Sequence, residues 1–332
     1  MYKIAVIPGD GIGKIVTPET IRVLESIDLK FEFQHMEVGY EVFKKVGTSV
    51  PEDVISSLRN TQACLFGATT TPVDVPNYRS AVVTLRKALD LYANVRPARS
   101  YPIRGQVKDV DLVIVRENTE GLYSGIEFAT KDSAFAMRVI TRRACERVAR
   151  FAFDLAMRRR RKLIVVTKAN IMRKTCGLFR EVTLFVAENY PEVEVDEMFV
   201  DAAAMNLVLK PQVFDVILTS NLFGDILSDE AAGLVGGLGL APSANIGDDY
   251  GLFEPVHGSA PDIAGKGIAN PIAAILSAKM LLDFLGEVTW AERVENAVSA
   301  VLKKRKYLTP DLGGSSTTRE VTEAIISALE KI

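Results

Sequence analysis

Six short apolar runs punctuate this chain: KIAVI (3–7), ACLFG (63–67), DLVIVRE (111–117), KLIVVT (162–167), VEVDEMFV (193–200) and FDVILTS (214–220). Between them lie stretches with helical spacing of apolar residues, among them PETIRVLESI, RRACERVARFAFDLAMRR and GLFREVTLFVAENY. A strand apolar along its whole length needs cover on both faces, and helices interleaved with strands supply it. The alternation therefore predicts an α/β fold built on a largely parallel sheet. Two features modify that expectation. GIEFATKDS followed by AFAMRVITRR reads as paired antiparallel strands, so the middle of the chain carries a mixed sheet or an extruded hairpin. The C-terminal third is mostly helical, in NPIAAILSAKMLLDFLG, AERVENAVSAVLKKRK and TREVTEAIISALEKI. With 332 residues, 48% of them hydrophobic, the chain can bury a large core and divides most naturally into two domains.

Charge and composition exclude several functions. Forty Lys and Arg against forty-two Asp and Glu leave a net charge of -2, which argues against a nucleic-acid surface. The run RRRRK (158–162) ends a helix before a strand, where helix-end and solvated cations account for it. No secretory signal opens the sequence, and no apolar run approaches the roughly 18 residues of a membrane span. A soluble, cytoplasmic protein without nucleic-acid or membrane partners is expected. Cys64, Cys145 and Cys176 have no metal-ligand spacing and read as small core residues of a reduced protein. The only histidines are His35 and His257, so a three-histidine zinc site is impossible. Proton transfer falls to Lys, Tyr or carboxylates.

The remaining candidates for chemistry sit at strand ends. NLFGDILSDEAAGL places Asp225 and Asp229 four residues apart, on one face of a helix that follows a buried strand. Such a pair is either a solvated helix face or half of a site for a hard divalent cation. Arg86, Arg96 and Arg116 lie in TLRKALDLYANVRP and VIVREN; each is either a surface residue or a fork for a carboxylate. Tyr123 in ENTEGLY and Lys168 in VVTKANIM follow strands in the same way, and a lysine desolvated near cations can accept a proton. GDGIG (9–13) follows a strand but is neither GxGxxG nor a P-loop, so it reads as a phosphate loop or a tight turn. FEPVHGSAPDIAGKGIANP (253–271) is a long loop, which inside a compact domain is usually functional; it offers backbone N–H groups for phosphate and Asp262 for a ribose hydroxyl.

Together with VDAAAMNLV and TPDLGG, these segments resemble the β-decarboxylating dehydrogenases, the isocitrate, 3-isopropylmalate and homoisocitrate dehydrogenases, over nearly the whole chain. The resemblance implies that family's two-domain α/β fold, distinct from a Rossmann fold. A large cofactor-binding domain would span 1–98 plus 240–332, and a small domain with the substrate and metal sites and a dimerisation arm would span 99–239. It implies substrate carboxylates held by Arg86, Arg96 and Arg116, and Mg2+ or Mn2+ held by Asp201, Asp225 and Asp229. Lys168 would take the proton of the substrate's 2-hydroxyl, and Tyr123 would protonate C3. Lys168 and Asp201 would come from the second subunit of a homodimer with shared active sites, within a higher oligomer or alone. The same resemblance assigns Thr71, Asn170, Glu254, His257, Gly258, Ser259, Ala260, Asp262, Ile263 and Asn270 to the cofactor. His257 and Asn270 would flank adenine, and the Asp262 carboxylate, repelling a 2'-phosphate, favours NAD over NADP. Two departures stand out: Lys14-Ile15 follows GDGIG where the family has Pro-Glu, so that Pro18-Glu19 comes later, and Thr167 precedes the lysine where many relatives have His. A catalytically silent regulatory subunit is the competing reading, and the full set of Lys168, Tyr123, Asp201, Asp225 and Asp229 argues against it.

Substrate choice in the family is set just before Arg86, in YRSAVVTLR. Val82 and Val83 offer an apolar wall, Ser80 stands where isocitrate enzymes use serine, and Val82 replaces their asparagine. Tyr78 and Arg79 are placed to meet a distal carboxylate, although Arg79 reads equally as a solvated residue at a helix start. The segment, with GATTTP upstream, resembles homoisocitrate dehydrogenases most, with 3-isopropylmalate or relaxed specificity as the alternatives.

Overall fold

A computed structural model describes residues 1–103 and 105–332. The chain forms two compact units, Met1–Leu89 with Tyr101–Gln106 and Val235–Ile332, and Asp90–Ser100 with Val107–Leu234. The strand that the sequence reading left mostly in the large domain, ending at 98, lies in the second unit.

The first unit begins with β1 (Tyr2–Gly9), α1 (Gly13–Glu25), β2 (Phe31–His35), α2 (Tyr40–Val46), α3 (Glu52–Leu58), β3 (Ala63–Ala68) and α4 (Ala81–Ala88). The second holds β4 (Ala93–Arg99), β5 (Asp111–Glu117), β6 (Glu127–Ala129), β7 (Ala134–Ala136), α5 (Arg142–Met157), β8 (Lys162–Thr167), α6 (Thr175–Ala187), β9 (Glu194–Phe199), α7 (Val200–Leu209), β10 (Val216–Thr219) and α8 (Asn221–Leu234). The chain returns to the first unit for β11 (Pro242–Ile246), β12 (Gly251–Pro255), α9 (Ile272–Phe284), α10 (Val288–Lys304) and α11 (Thr318–Leu329).

In the first unit the strands run β2-β1-β3-β12-β11, parallel except for the β11–β12 pair. All six residues of β3 are buried, as the continuous apolar run required. α9 is apolar around most of its circumference and packs on β11, β12, α1 and α10, so it is the central helix of this unit. Pro18 falls inside α1 and does not start it. The helix begins earlier, at Gly13, and Pro18 is exposed, so the hydrogen bond that its missing N–H would have given to the Lys14 carbonyl is lost on the outer side of the helix.

In the second unit the order is β4-β5-β10-β8-β9, with only β4 and β5 antiparallel. β9, last in that order, exposes Glu194, Asp196 and Glu197, charges that discourage further strand pairing. The expected antiparallel pair is present as β6 and β7, a separate two-stranded sheet whose Phe128 and Phe135 stack at 4.9 Å while exposed. The basic run has a structural task as well as a solvated one: Arg159 Nε donates at 2.7 Å to the buried Asp215, and the Arg160 amide adds a bond of 2.9 Å. No helix among the described residues is long and apolar enough to cross a membrane.

Candidate active site

In the second unit, β5 delivers Arg116 into the protein with 1% of its surface exposed. A guanidinium so buried must have its donors satisfied. Asn221, the first residue of α8, accepts from Nε at 3.0 Å and from one terminal nitrogen at 2.7 Å, while the other terminal nitrogen reaches Asp225 Oδ1 at 2.5 Å. The Tyr123 ring lies 5.0 Å from the guanidinium carbon. Asn221 is itself held, donating to Glu120 O at 3.1 Å and toward Glu117 at 3.5 Å. Close approach of α8 to β5 requires Gly224, because a Cβ there would stand 2.6 Å from Arg116 Cβ.

Asp225 gathers donors from several elements. Besides Arg116, Arg96 from β4 reaches Oδ1 at 3.2 Å and the Tyr123 hydroxyl donates to Oδ2 at 2.5 Å. Arg96 also donates to Ser228 at 2.7 Å and to Asp229 at 3.4 Å. The helical spacing thus puts Asp225, Ser228 and Asp229 on one face, as the i and i+4 pattern requires. Burial raises Asp229 above the ordinary carboxylate value, Arg96 opposes it, and Asp225 adds to it. Burial, then the bond to Asp225, raises Tyr123 above the ordinary phenol value, and Arg116 opposes the shift. This phenol is therefore protonated throughout the neutral range.

At the ends of β8 and β9, Lys168 Nζ donates to Asp201 Oδ1 at 2.5 Å, and its ammonium lies 5.6 Å from the Phe199 ring centre. The charged neighbour of Lys168 within its own chain is thus an anion. The lysine in turn lowers Asp201 below the ordinary carboxylate value. Within one chain, no group of three His, Cys, Asp or Glu side chains comes together among the described residues in a way that could hold a metal. Asp225 and Asp229 on one helix face supply two hard oxygen donors, which suits a divalent cation that takes further ligands from elsewhere.

The first unit carries the other expected residues. Arg86 on α4 donates to Glu254 at 2.9 Å, and Glu254 also accepts from Asn245 at 2.8 Å. Arg86 Nε is buried without a hydrogen-bond partner, an enclosed donor suited to a carboxylate. Ser80 precedes α4 but its hydroxyl caps nothing, and Val82 and Val83 are half-buried. Tyr78 donates its hydroxyl to Thr70 O at 2.8 Å and packs edge-on to Tyr40 and Phe43. It thereby fastens the segment before α4, while neighbouring Arg79 is exposed. GDGIG turns out to be a clasp. Asp10 accepts from the backbone N–H groups of Tyr40, Glu41 and Thr70 at 2.8, 3.1 and 2.9 Å, and Ile12 N donates to Ser259 O at 2.8 Å. Gly11, at φ 53°, leaves room for that contact, since a Cβ would fall 2.0 Å from the carbonyl oxygen.

The loop after β12 is as long as expected, although Phe253, Glu254 and Pro255 belong to the strand. With Ile12, it borders a half-open cavity of about 270 Å³ lined by His257, Ala260, Ile263, Ile268 and Pro310. His257 Nδ1 lies 3.0 Å from Gly258 O, and its Nε2 is enclosed without a partner. Burial holds this imidazole below its ordinary value, so the ring is neutral. Asn270 also lines the cavity, bonded to Asp311 at 2.9 Å and accepting from Ile272 N at 3.0 Å. Ser259 bonds Thr70 through its hydroxyl at 2.6 Å. Ala260 holds a left-handed φ of 37°, and Thr71, Gly258 and Asp262 are exposed. Asn170, exposed on the loop after β8, belongs to the second unit. Apolar walls with one unsatisfied ring nitrogen fit a flat heteroaromatic group such as adenine.

Comparison with known proteins agrees with this architecture. Residues 3–325 match the isocitrate/isopropylmalate dehydrogenase family. The chain is 55% identical over 333 residues to an isocitrate/homoisocitrate dehydrogenase of Thermus thermophilus, covering 100% of this chain and 99% of that protein. It is 53% identical to a 3-isopropylmalate/3-methylmalate dehydrogenase of Methanocaldococcus jannaschii, covering 98% of each. Among solved structures, an isocitrate dehydrogenase from Methylococcus capsulatus superposes with a TM-score of 0.96 at 48% identity over 99% of both chains. The protein belongs to the isocitrate/isopropylmalate dehydrogenase family of β-decarboxylating dehydrogenases.

Proposed function

We propose that this protein catalyses the NAD-dependent, divalent-metal-dependent oxidative decarboxylation of a 3-substituted (2R)-malate, with homoisocitrate, converted to 2-oxoadipate, as its preferred substrate. The observation that carries the reading is the convergence of Arg96, Arg116 and Tyr123 on Asp225. Two guanidinium groups and a protonated phenol surround a carboxylate in this arrangement, and the same donors suit a substrate rich in carboxylates.

Asp225 and Asp229, with Asp201 of a second copy, would hold Mg2+ or Mn2+. The His257 cavity would hold the adenine of NAD, and Asp262 its ribose. Thr71, Asn170, Glu254 and residues 258–263 would frame the rest. When bound, NAD would supply a hydride acceptor for C2, and the cation would supply Lewis acidity at the C2 oxygen. Arg86, Arg96 and Arg116 bind and orient the malate carboxylates. Lys168 takes the proton of the 2-hydroxyl, and after CO2 leaves, Tyr123 delivers a proton to C3. A homodimer follows from the same reading. Supporting it, Phe128 and Phe135 on the hairpin and Met205, Val208, Leu209 and Ile226 on α7 and α8 are large apolar side chains left exposed in one chain.

Homoisocitrate is favoured by Arg79, exposed one residue before Ser80 and able to meet a distal carboxylate. The half-buried Val82 and Val83 support 3-isopropylmalate as the second reading, and apolar walls discriminate only modestly between side chains. The test is kcat/KM for homoisocitrate, isocitrate and 3-isopropylmalate, repeated with Arg79→Ala. That change is expected to weaken the two tricarboxylates selectively, by about 1–2 kcal/mol of transition-state binding. An equal effect on all three rejects the assignment to Arg79.

A further inference from the structure

Arg138 is the second residue after β7, and the amide of the residue before it, Met137, bonds Ile126 O at 2.8 Å. One terminal nitrogen of its guanidinium stands 2.9 Å from Met172 Sδ and 3.3 Å from Cys176 Sγ. The other donates to Ser220 Oγ at 2.6 Å, and the guanidinium carbon lies 4.8 Å from the centre of the Phe223 ring. No carboxylate lies within ion-pair distance among the described residues. A half-buried charge held by a hydroxyl, two sulfurs and a ring is an expensive way to fill space, and an apolar side chain would pack there at lower cost. What the guanidinium adds is a rigid fork with fixed directions.

Those directions join two segments. Met172 and Cys176 close the loop that starts at Lys168: the Lys168 amide donates to Cys176 Sγ at 3.4 Å, and its carbonyl accepts from Ile171 and Met172 at 3.0 and 2.9 Å. Ser220 and Phe223 lie at the start of α8, where Ser220 O accepts from Gly224 N at 2.9 Å, one residue before Asp225. We infer that Arg138 is a positioning residue for Lys168, clamping the 168–176 loop to the start of α8. Because Arg138 sits at the base of the hairpin that exposes Phe128 and Phe135, a second copy seated on that hairpin would steady the same clamp. The inference rests on the proposed role of Lys168 as proton acceptor.

The test compares Arg138→Met, Arg138→Lys and the milder Ser220→Ala in the full chain. Misplacing a reacting group by an ångström costs about a hundredfold, so Arg138→Met is expected to lower kcat about that much while KM for homoisocitrate changes less than about twofold. Arg138→Lys restores at least about a tenth of the wild-type kcat, and Ser220→Ala loses kcat in the same direction to a smaller degree. A second readout needs no turnover: the 13C-methyl resonance of reductively methylated Lys168, identified by its absence in Lys168→Arg, shifts or broadens in Arg138→Met and returns toward its position in Arg138→Lys. If Arg138→Met does not fold, the Lys168 resonance and kcat of Arg138→Lys and Ser220→Ala decide. An unmoved resonance, or a loss confined to KM, overturns the inference. A wild-type protein without turnover on any 3-substituted malate refutes the functional reading instead, while the resonance still decides for or against the clamp.

Discussion

Gly224 and Arg116 are packed so closely that the hydrogen of the one stands where a methyl group would meet the aliphatic stem of the other: a Cβ on Gly224 would lie 2.6 Å from Arg116 Cβ and 2.7 Å from its Cγ. Both contacts are with the inner part of a fully buried side chain, which has nowhere to go. Gly224→Ala is expected to destabilise the protein by about 1–3 kcal/mol and to push Arg116 away from Asn221 and Asp225. Denaturant unfolding reads the first effect. A fall in kcat/KM larger than the loss of folded protein reads the second, and full retention of both contradicts this packing.

Tyr123 is expected to titrate late. Its burial and its bond to Asp225 both favour the neutral phenol, and Arg116 only partly opposes them. The tyrosinate absorbance of wild type minus that of Tyr123→Phe should therefore appear above about pH 10. Asp225→Asn removes a negative acceptor and should bring that component down. A Tyr123 component below about pH 9 would mean that the proposed proton donor lacks the environment described here.

The proposed sharing of active sites between two copies makes a prediction that independent sites do not. Lys168→Met and Tyr123→Phe should each be nearly inactive alone. Unfolded together and refolded as a mixture, they should recover about a quarter of wild-type activity, because half the dimers are mixed and each mixed dimer rebuilds one of two sites. No recovery in a mixture shown to contain mixed dimers places Lys168 and Tyr123 of one chain in the same site.

The parts legible in the sequence were those set by short-range periodicity. The apolar runs at 63–67, 111–117 and 162–167 correspond to β3, β5 and β8, and the antiparallel pair at the middle of the chain to β6 and β7. Arg116 and the Asp225–Asp229 pair were visible because an arginine ending an apolar strand, or two acids one helical turn apart, conflicts with its surroundings. Asn221 and Ser228 were not singled out, though both lie in the same stretch as Asp225. Their importance comes from partners 105 and 132 positions away, Arg116 and Arg96, and no local pattern encodes such a contact. Asp10 was visible only as part of a turn, and its role in holding α2 and Thr70 depends on tertiary structure. The start of α1 was left open, because proline favours a first helical turn yet an exposed proline such as Pro18 is also tolerated farther in.

The central claim is tested most directly by giving the purified chain homoisocitrate, NAD and Mg2+ or Mn2+, and measuring NADH and CO2 together. The account predicts both products in equal amounts, no turnover after chelation of the metal, and a higher kcat/KM for homoisocitrate than for isocitrate or 3-isopropylmalate. A higher kcat/KM for 3-isopropylmalate would contradict the substrate assignment. NADH without CO2, or no NADH from any of the three with the metal present, would contradict the proposed reaction itself.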